Sequence, residues 1–210
     1  MRTLTQPRAV ATRDKILEEA TRLFALKGYQ ATRLEEILRE AQVTTGGFFH
    51  HFRSKEELGL AVLRTHMEKR REHLEELEQS LPPVAPDDPL EPVFRRLDAV
   101  LEMVRQREQS AGGCVIGNLS TELSDTHPGF RQQLSDCFET MALEFQPHLD
   151  RAARQYGTET RVDTSALARY IVSVLEGSIM LARSHADSRV LATNFDFLKQ
   201  YLRQALQAPA

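Results

Sequence analysis

The chain has 210 residues, of which 41% are hydrophobic and 27% charged, enough for one large domain or two small ones with a sizeable core. No uninterrupted apolar run reaches the roughly 18 residues typical of a membrane span, so we expect no membrane association. The net charge of −3 gives no general signal for nucleic-acid binding, but residues 1–60 carry 10 Lys and Arg against 8 Asp and Glu, while the remainder carries 17 against 22. This asymmetry favours an anion-binding surface near the N-terminus.

The compartment is indicated by the first residues and by the cysteines. The sequence MRTLTQPRAVATRDK lacks the apolar core of a secretory signal, so a cytoplasmic protein is expected. Cys114 and Cys137 match no metal or redox spacing, and a reducing cytoplasm disfavours a disulfide between them.

Helical periodicity begins at residue 13. Apolar side chains recur every three or four residues over 13–27, with Thr12 as the expected N-cap and Gly28 as the residue after the C-terminus. Thr32 and Glu35 have the spacing of a capping box, which predicts a short helix over 33–41.

A third short helix is predicted to start with Thr44 or Thr45 as its cap, although two adjacent glycines weaken it by about 0.8–1 kcal/mol each relative to alanine. Ser54 and Glu57 form a second capping box, opening a long helix over 55–79. The charged stretch 68–78 of that helix is predicted to be solvated.

The rest of the chain also reads as helices. A proline-rich loop over 82–89 leads to Asp88, the expected N-cap of a helix extending to residue 108. After a break at 110–113, helices are predicted over 114–123, 128–156 (bent at Pro147), 164–186 and 190–207. With about nine helices and no alternating strand pattern, the predicted fold class is all-α.

Three short helices within about 50 residues, with a tight turn at 41–43, are typical of a helix-turn-helix. Spacing alone leaves open a small helical bundle without a DNA role.

The stretch GYQATRLEEILREAQVTTGGFFHHFRSKEEL, starting at Gly28, resembles the N-terminal signature of the TetR family of transcriptional regulators, and the similarity covers about residues 13–60. The resemblance implies a flexible arm (1–12), a helix-turn-helix DNA-binding domain (13–54) and a regulatory ligand-binding and dimerisation domain (55–210). It also implies a homodimer on a palindromic double-stranded DNA operator. A small-molecule effector would release this repressor from the operator.

In such motifs the second helix enters the major groove, where hydroxyls, histidines and closely approaching glycine backbone can contact DNA. The expected DNA-binding residues are Thr32, Arg33, Thr44, Thr45, Gly46, Gly47, Phe49, His50, His51 and Lys55. Tyr29 is a further candidate for a phosphate contact.

This sequence departs from the family at three of these positions. The family often has Lys where Thr45 stands and Tyr where Phe49 and His51 stand, so two hydroxyls and one positive charge are missing. Phe49 is therefore expected to pack against a sugar or a thymine methyl group. The same departures motivate an alternative function, an all-helical interaction or adaptor protein with little DNA affinity.

The last two helices carry apolar stripes, of which one is expected to close the core while a second apolar face would be covered by a partner. The resemblance implies that these helices form the dimer interface. The residues assigned to it are Leu167, Ile171, Val174, Leu175, Ile179, Leu191, Phe195, Leu198 and Leu202.

Candidate residues for an effector pocket lie on the middle helices, although ordinary core is the favoured interpretation for most of them. They are Met67, Phe94, Leu97, Leu101, Cys114, Asn118, Phe138, Met141 and Tyr170, with His66, Glu122 and His148 as further polar candidates. No nucleophile motif, phosphate loop or metal spacing is present, so neither an enzyme nor a cofactor is expected.

Cys114 is the second residue of the stretch GCVIGNL, which resembles a pattern in one branch of the TetR family. The resemblance implies that this cysteine could sense reactive electrophiles or oxidants, because some regulators of that branch respond in this way. A helix N-terminus lowers the pKa of a thiol, which would favour the reactive thiolate. The alternative, inert packing of a small apolar side chain, stays open.

Overall fold

The computed structural model describes residues 5–82, 87–107 and 113–206, and every regular element in these ranges is an α-helix, which confirms the predicted all-α class. The ten helices of the described residues are α1 (Thr5–Lys27), α2 (Leu34–Ala41), α3 (Thr45–Phe49), α4 (Lys55–Ser80), α5 (Glu91–Arg107), α6 (Val115–Leu123), α7 (Pro128–Leu143), α8 (Gln146–Tyr156), α9 (Thr164–His185) and α10 (Arg189–Leu206).

The chain divides into two compact units that alternate along the sequence. The first unit comprises Met1–Lys69 with Ala111–Leu134, and the second comprises Arg70–Ser110 with Ser135–Ala210. The domains predicted from the sequence, 13–54 and 55–210, were instead consecutive.

In the first unit, α1, α2 and α3 contact one another and α6 packs against α1. Their apolar faces form one core, because the inward positions of each helix are almost completely shielded from solvent. The largest buried side chains of this unit are Ile16, Leu17, Phe24, Ile37, Phe48, Phe52, Leu58, Leu63 and Phe130.

The start of α1 differs from the prediction. The helix begins at Thr5, so Thr12 is not its N-cap, and residues 5–12 are not the flexible arm that was expected. Pro7 is compatible with this because a proline in the first helical turn sacrifices no intrahelical hydrogen bond. Residues 1–4 of that arm lie outside the described residues. The C-terminal signal is confirmed, since Gly28 follows the helix with a φ of +85°.

The capping box predicted at Thr32 is wrong. The side chain of Thr32 is fully buried, and its hydroxyl donates to the carbonyl oxygen of Gly28 at 2.7 Å instead of accepting from the next helix. Arg33 occupies the N-cap position of α2 without a side-chain capping bond.

Of the two hydrogen bonds in the capping box predicted at Ser54, one is present and the other has a different donor. The Ser54 hydroxyl accepts from the N–H of Glu57 at 3.1 Å, as expected. The Glu57 carboxylate accepts from the N–H of Arg53 at 2.7 Å, one residue earlier than the box requires.

The second unit is built around contacts of α5, α8, α9 and α10 with one another. Its buried side chains include Leu97, Val100, Phe145, Leu149, Ile171, Leu175, Leu191, Phe195, Leu198 and Leu202. α9 and α10 are also joined by a hydrogen bond from Asn194 to the Ser178 hydroxyl at 3.0 Å.

A buried group of ionic side chains contradicts the prediction that residues 68–78 are solvated. The guanidinium of Arg70 donates to both carboxylate oxygens of Glu144, at 3.0 and 2.9 Å. Arg96 lies 3.5 Å from Glu144 and forms an ion pair with Glu78. Burial raises the pKa of Glu78, while the charge of Arg96 opposes this shift. One face of α4 therefore lies in the interior, where its charged side chains are paired with side chains of opposite charge.

Two further helix boundaries differ from the sequence prediction. α5 begins at Glu91 rather than directly after Asp88, although the Asp88 carboxylate does accept from the N–H of Leu90 at 2.9 Å. The helix predicted over 128–156 is two helices, with Pro147 in the first turn of α8, because proline is poorly tolerated in a helix interior. The break predicted at 110–113 lies mostly outside the described residues.

By length and composition, α9 is one helix of the described chain that could cross a membrane, with a mean hydropathy of 1.3. In the structure, 39% of that window is buried, and the helix packs against α8 and α10. A core helix passes the same test, so this feature is weak evidence for a membrane span.

Candidate nucleic-acid interface

The helix-turn-helix expected from the sequence is formed by α2, the residues that follow it and α3. The turn is produced by Gln42, whose φ of +56° places it in the left-handed region directly after α2. The N–H of Val43 then donates to the carbonyl oxygen of Leu38 at 2.9 Å, which closes the end of α2.

The N-terminus of α3 is capped as predicted, since the Thr44 hydroxyl accepts from the N–H of Gly47 at 3.1 Å. Thr45 and Gly46 are exposed on the first turn. A Cβ at Gly46 would meet nothing within 4 Å, so the backbone there faces open space. The start of α3 thus offers polar groups and an accessible main chain.

Two adjacent phenylalanines have opposite roles. Phe48 is fully buried and anchors α3 in the core, whereas Phe49 is 55% exposed. Their rings meet edge to face with centroids 5.3 Å apart, so the buried ring restricts the exposed one.

Histidines follow directly after α3. The rings of His50 and His51 have centroids 5.0 Å apart, with His50 exposed and His51 half-buried. Burial, followed by the charges of His50 and Arg13, lowers the pKa of His51. His51 is therefore predominantly neutral near pH 7 in the absence of a nearby anion.

The side chain of Lys55 is engaged within the protein. Its ammonium donates to the carbonyl oxygen of Tyr29 at 2.6 Å and lies 4.1 Å from the centre of that ring. Burial lowers the pKa of Lys55, while the charge of Glu122 opposes the shift. Burial and the charges of Glu56 and Glu122 raise the pKa of Tyr29 to about 12.

Three of the side chains expected at the DNA interface are engaged within the protein. Thr32 is buried with its hydroxyl bonded to a main-chain carbonyl, Tyr29 is buried, and the Lys55 ammonium is already bonded to a main-chain carbonyl. Arg33, by contrast, is exposed at the N-cap of α2.

Sequence reasoning missed two residues that hold the turn before α2. Glu122 accepts from the N–H groups of Tyr29 and Gln30 at 2.7 and 2.5 Å, and Asn118 donates to the carbonyl oxygen of Ala25 at 2.8 Å. No local pattern indicates these bonds, because the partners are more than 90 positions apart. Asn118 had been assigned to the effector pocket, and its amide is used here instead.

The other suggested pocket residues are spread over both units. Met67, Cys114 and Asn118 belong to the first unit, and Phe94, Leu97, Leu101, Phe138, Met141 and Tyr170 belong to the second. Tyr170 is 46% exposed, and its ring centroid lies 5.2 Å from that of Tyr201. Phe94, Leu97 and Met141 are buried.

Most of the stripe assigned to the dimer interface is core of the subunit itself. The members buried within the chain are Leu167, Ile171, Leu175, Leu191, Phe195, Leu198 and Leu202. Only Val174 and Ile179 are half-exposed. The exposed large apolar side chains of α9 and α10 are different residues, namely Tyr170, Met180, Leu181, Phe197 and Tyr201.

Neither cysteine forms a disulfide. Cys137 is buried, whereas Cys114 is half-buried and occupies the N-cap position of α6. Within the described ranges, no group of three or more His, Cys, Asp or Glu residues is placed to hold a metal ion.

The sequence and structure match known families and proteins along most of the chain. Residues 16–62 match the family described as bacterial regulatory proteins, tetR family, and residues 89–198 match the tetracyclin repressor-like C-terminal domain. An uncharacterised helix-turn-helix regulator from Lactococcus lactis is 31% identical over 188 residues, covering 90% of this chain and 91% of the relative. The transcriptional repressor DhaR from Mycobacterium sp. strain GP1 is 28% identical and 80% of each chain is covered.

Two solved structures share the fold. A TetR transcriptional regulator from Chloroflexus aurantiacus has a TM-score of 0.82 at 25% identity, covering 97% of this chain and 100% of the other. The reduced form of NemR from Escherichia coli has a TM-score of 0.70 at 23% identity, covering 95% and 99%.

These matches, together with the helix-turn-helix geometry, define the class of protein as a DNA-binding transcriptional regulator. The chain belongs to the TetR family.

Proposed function

We propose that the exposed face of α3 enters the major groove of an operator. The observation that carries this proposal is the capped N-terminus of α3, with Thr45 exposed and the backbone at Gly46 open to close approach. Thr44 and Gly47 shape this turn. Phe49 presents an apolar ring to a thymine methyl or a sugar, and His50 reaches a phosphate.

The flanking residues support this contact. Arg33, exposed at the start of α2, binds a phosphate as its guanidinium and the helix N-terminus act together. His51 gains a proton when a phosphate approaches, and Lys55 orients the start of α4 through Tyr29. Because Lys is absent at position 45, we expect fewer phosphate contacts than a family member with that lysine makes.

The regulator acts as a homodimer in this proposal, since two recognition helices are needed for the two half-sites of a palindromic operator. The surface that supports dimerisation is the outward face of α9 and α10, with the exposed residues Tyr170, Met180, Leu181, Phe197 and Tyr201. An apolar patch of this kind on a helix pair favours contact with the same patch of a second copy.

Two phenylalanines on α10 allow a matched test of the dimer. Phe197 is 65% exposed and Phe195 is 1% exposed. Phe197→Glu should give a folded monomer in sedimentation experiments, with operator affinity reduced because one half-site is lost. Phe195→Glu should instead unfold the chain, since it buries a charge in the core. A Phe197→Glu variant that remains dimeric would place the interface elsewhere.

The effector proposed here is a small molecule, and an electrophile is the candidate that the structure best supports. Cys114 is half-buried at the N-cap of α6, where the helix dipole stabilises a thiolate. The structural neighbour NemR is described in a reduced form. If Cys114→Ser responds to N-ethylmaleimide at the same concentration as the parent protein, inert packing is the correct alternative.

The experiment that tests the proposed function is selection of bound genomic fragments by the full chain, followed by a screen for compounds that release it. Specific binding should weaken steeply with salt because phosphate contacts displace counterions. Salt-insensitive or absent binding would favour the adaptor alternative. In this proposal the protein works in the cytoplasm by binding and not by catalysis, and an effector acts by favouring a conformation with a different spacing of the recognition helices.

A further inference from the structure

Two side chains of α6 hold the end of α1 and the turn that follows it. Glu122 accepts from the main-chain N–H groups of Tyr29 and Gln30, and Asn118 donates to the carbonyl oxygen of Ala25. Both residues lie on one face of α6, because positions four apart are one helical turn apart. α6 therefore contacts the segment before the recognition motif through three hydrogen bonds.

The bonds satisfy main-chain groups that the helix itself leaves open. The carbonyl of Ala25 is in the last turn of α1, where carbonyl groups have no intrahelical donor. The dipole of α1 disfavours a negative charge near this C-terminus. The Glu122 carboxylate is nevertheless stabilised there by two N–H donors and by the nearby charge of Lys55.

Tyr29 is held from both sides of its main chain. Its N–H donates to Glu122 on α6, and its carbonyl oxygen accepts from Lys55, the first residue of α4. The same turn continues through the buried Thr32 to Arg33 at the N-cap of α2. Tyr29 therefore links α6 to the first residue of α4 and, through the chain, to the N-cap of α2.

We propose that Glu122 is a positioning residue for DNA recognition, which fixes the turn at Tyr29 and Gln30 and so sets α2 and α3 in the orientation that fits the operator. This inference rests on the proposed DNA interface. Glu122 does not touch DNA in this proposal. Its effect is on the alignment of the helix-turn-helix, so it should govern specific binding more than the general attraction to phosphate.

The test compares Glu122→Gln with Glu68→Gln, an exposed glutamate on α4, in the full-length protein. Both substitutions remove one negative charge, which by itself strengthens DNA binding slightly. Because Glu122→Gln also loses a charge-assisted hydrogen bond, we expect operator affinity about tenfold weaker than in Glu68→Gln. Binding to random-sequence DNA should stay within about twofold between the two variants, since the phosphate contacts are retained.

Hydrogen exchange of the Tyr29 and Gln30 amides supplies the second readout, and it needs no operator. Exchange at both should be faster in Glu122→Gln than in Glu68→Gln; unchanged protection would overturn the proposal. Glu122→Ala, which loses both bonds, should show a larger effect on affinity if it folds.

The outcomes separate the two proposals. A wild-type protein without sequence-specific binding contradicts the DNA interface and, with it, the role of Glu122. A wild type that binds specifically, with equal ratios of specific to random-sequence affinity in Glu122→Gln and Glu68→Gln, contradicts only the positioning role. Faster amide exchange together with a reduced ratio supports both.

Discussion

Two Arg–Glu pairs of the second unit have the same shortest N–O distance and different burial, so a comparison of the two measures how burial affects the energy of an ion pair. Arg70 and Glu144 lie 2.9 Å apart with side chains 4% and 10% exposed. Arg169 and Glu139 also lie 2.9 Å apart, with side chains 55% and 50% exposed. The perturbation is the same in each case, a Glu→Gln substitution that removes the negative charge and little volume.

The expected loss in the free energy of unfolding depends on the buried charge that the substitution leaves unpaired. At 2.9 Å and an effective dielectric constant of about 20, two unit charges attract by about 6 kcal/mol, most of which is offset by the cost of removing them from water. Glu144→Gln removes the desolvation cost of the carboxylate, but it leaves the cost of burying Arg70 and removes the attraction for Arg70 and for Arg96, which lies 3.5 Å away. We therefore expect the free energy of unfolding to fall by about 3–5 kcal/mol. Glu139→Gln should be nearly silent because solvent screens the exposed pair.

Urea titrations followed by far-ultraviolet circular dichroism measure both variants, at one fixed protein concentration because dimerisation contributes to stability. The double variant Arg70→Met with Glu144→Leu should recover most of the loss, since no unpaired charge stays buried at these two positions. Equal destabilisation by Glu144→Gln and Glu139→Gln would refute the argument, because burial would then have no influence on the energy of the pair.

Three further predictions concern single positions. Burial and nearby arginines lower the pKa of His148, so the unfolded state binds more protons than the folded state does. The free energy of unfolding should therefore fall as the pH drops below 6.5, the ordinary pKa of histidine. His148→Gln should flatten this part of a pH–stability curve measured by urea titration. Thr45→Lys should tighten DNA binding and steepen its log–log salt dependence by about one unit, as one added phosphate contact would, and an unchanged slope would argue against this contact. Gly28→Ala should destabilise the chain more than Gly157→Ala does in thermal unfolding: both have positive φ, but an added Cβ at Gly28 would lie 2.7 Å from the Glu122 carboxylate, while at Gly157 it would meet nothing within 4 Å.

Features encoded by neighbouring residues could be predicted from the sequence. The helix class, the stop at Gly28 and the cap at Thr44 were predicted correctly because each depends on residues within one helical turn. Thr32 was misassigned because its hydroxyl has a competing acceptor, the carbonyl of Gly28, which periodicity does not reveal.

Most residues that the sequence assigned to the dimer interface are core of the subunit, for a related reason. The most regular apolar stripe of α9 and α10 closes the core of the same subunit, as Leu175 and Leu198 do. A surface that meets a partner only needs to be partly apolar, and residues such as Phe197 are interspersed with polar ones. The hydrogen bond from the N–H of Tyr29 to the Glu122 carboxylate could not be predicted from the sequence, since it joins residues 93 positions apart.

The alternation of the two units along the chain has a consequence for engineering hybrid regulators. An exchange of the DNA-binding end by a single crossover near residue 60 would combine α1 to α3 of one parent with α6 of another. The turn at Tyr29 and Gln30 from the first parent would then face the side chain that the second parent has at position 122. A hybrid that also carries residues 113–134 of the donor retains this contact. The transplantable module is thus discontinuous in sequence, and its second piece lies inside the segment that a linear domain map assigns to effector response.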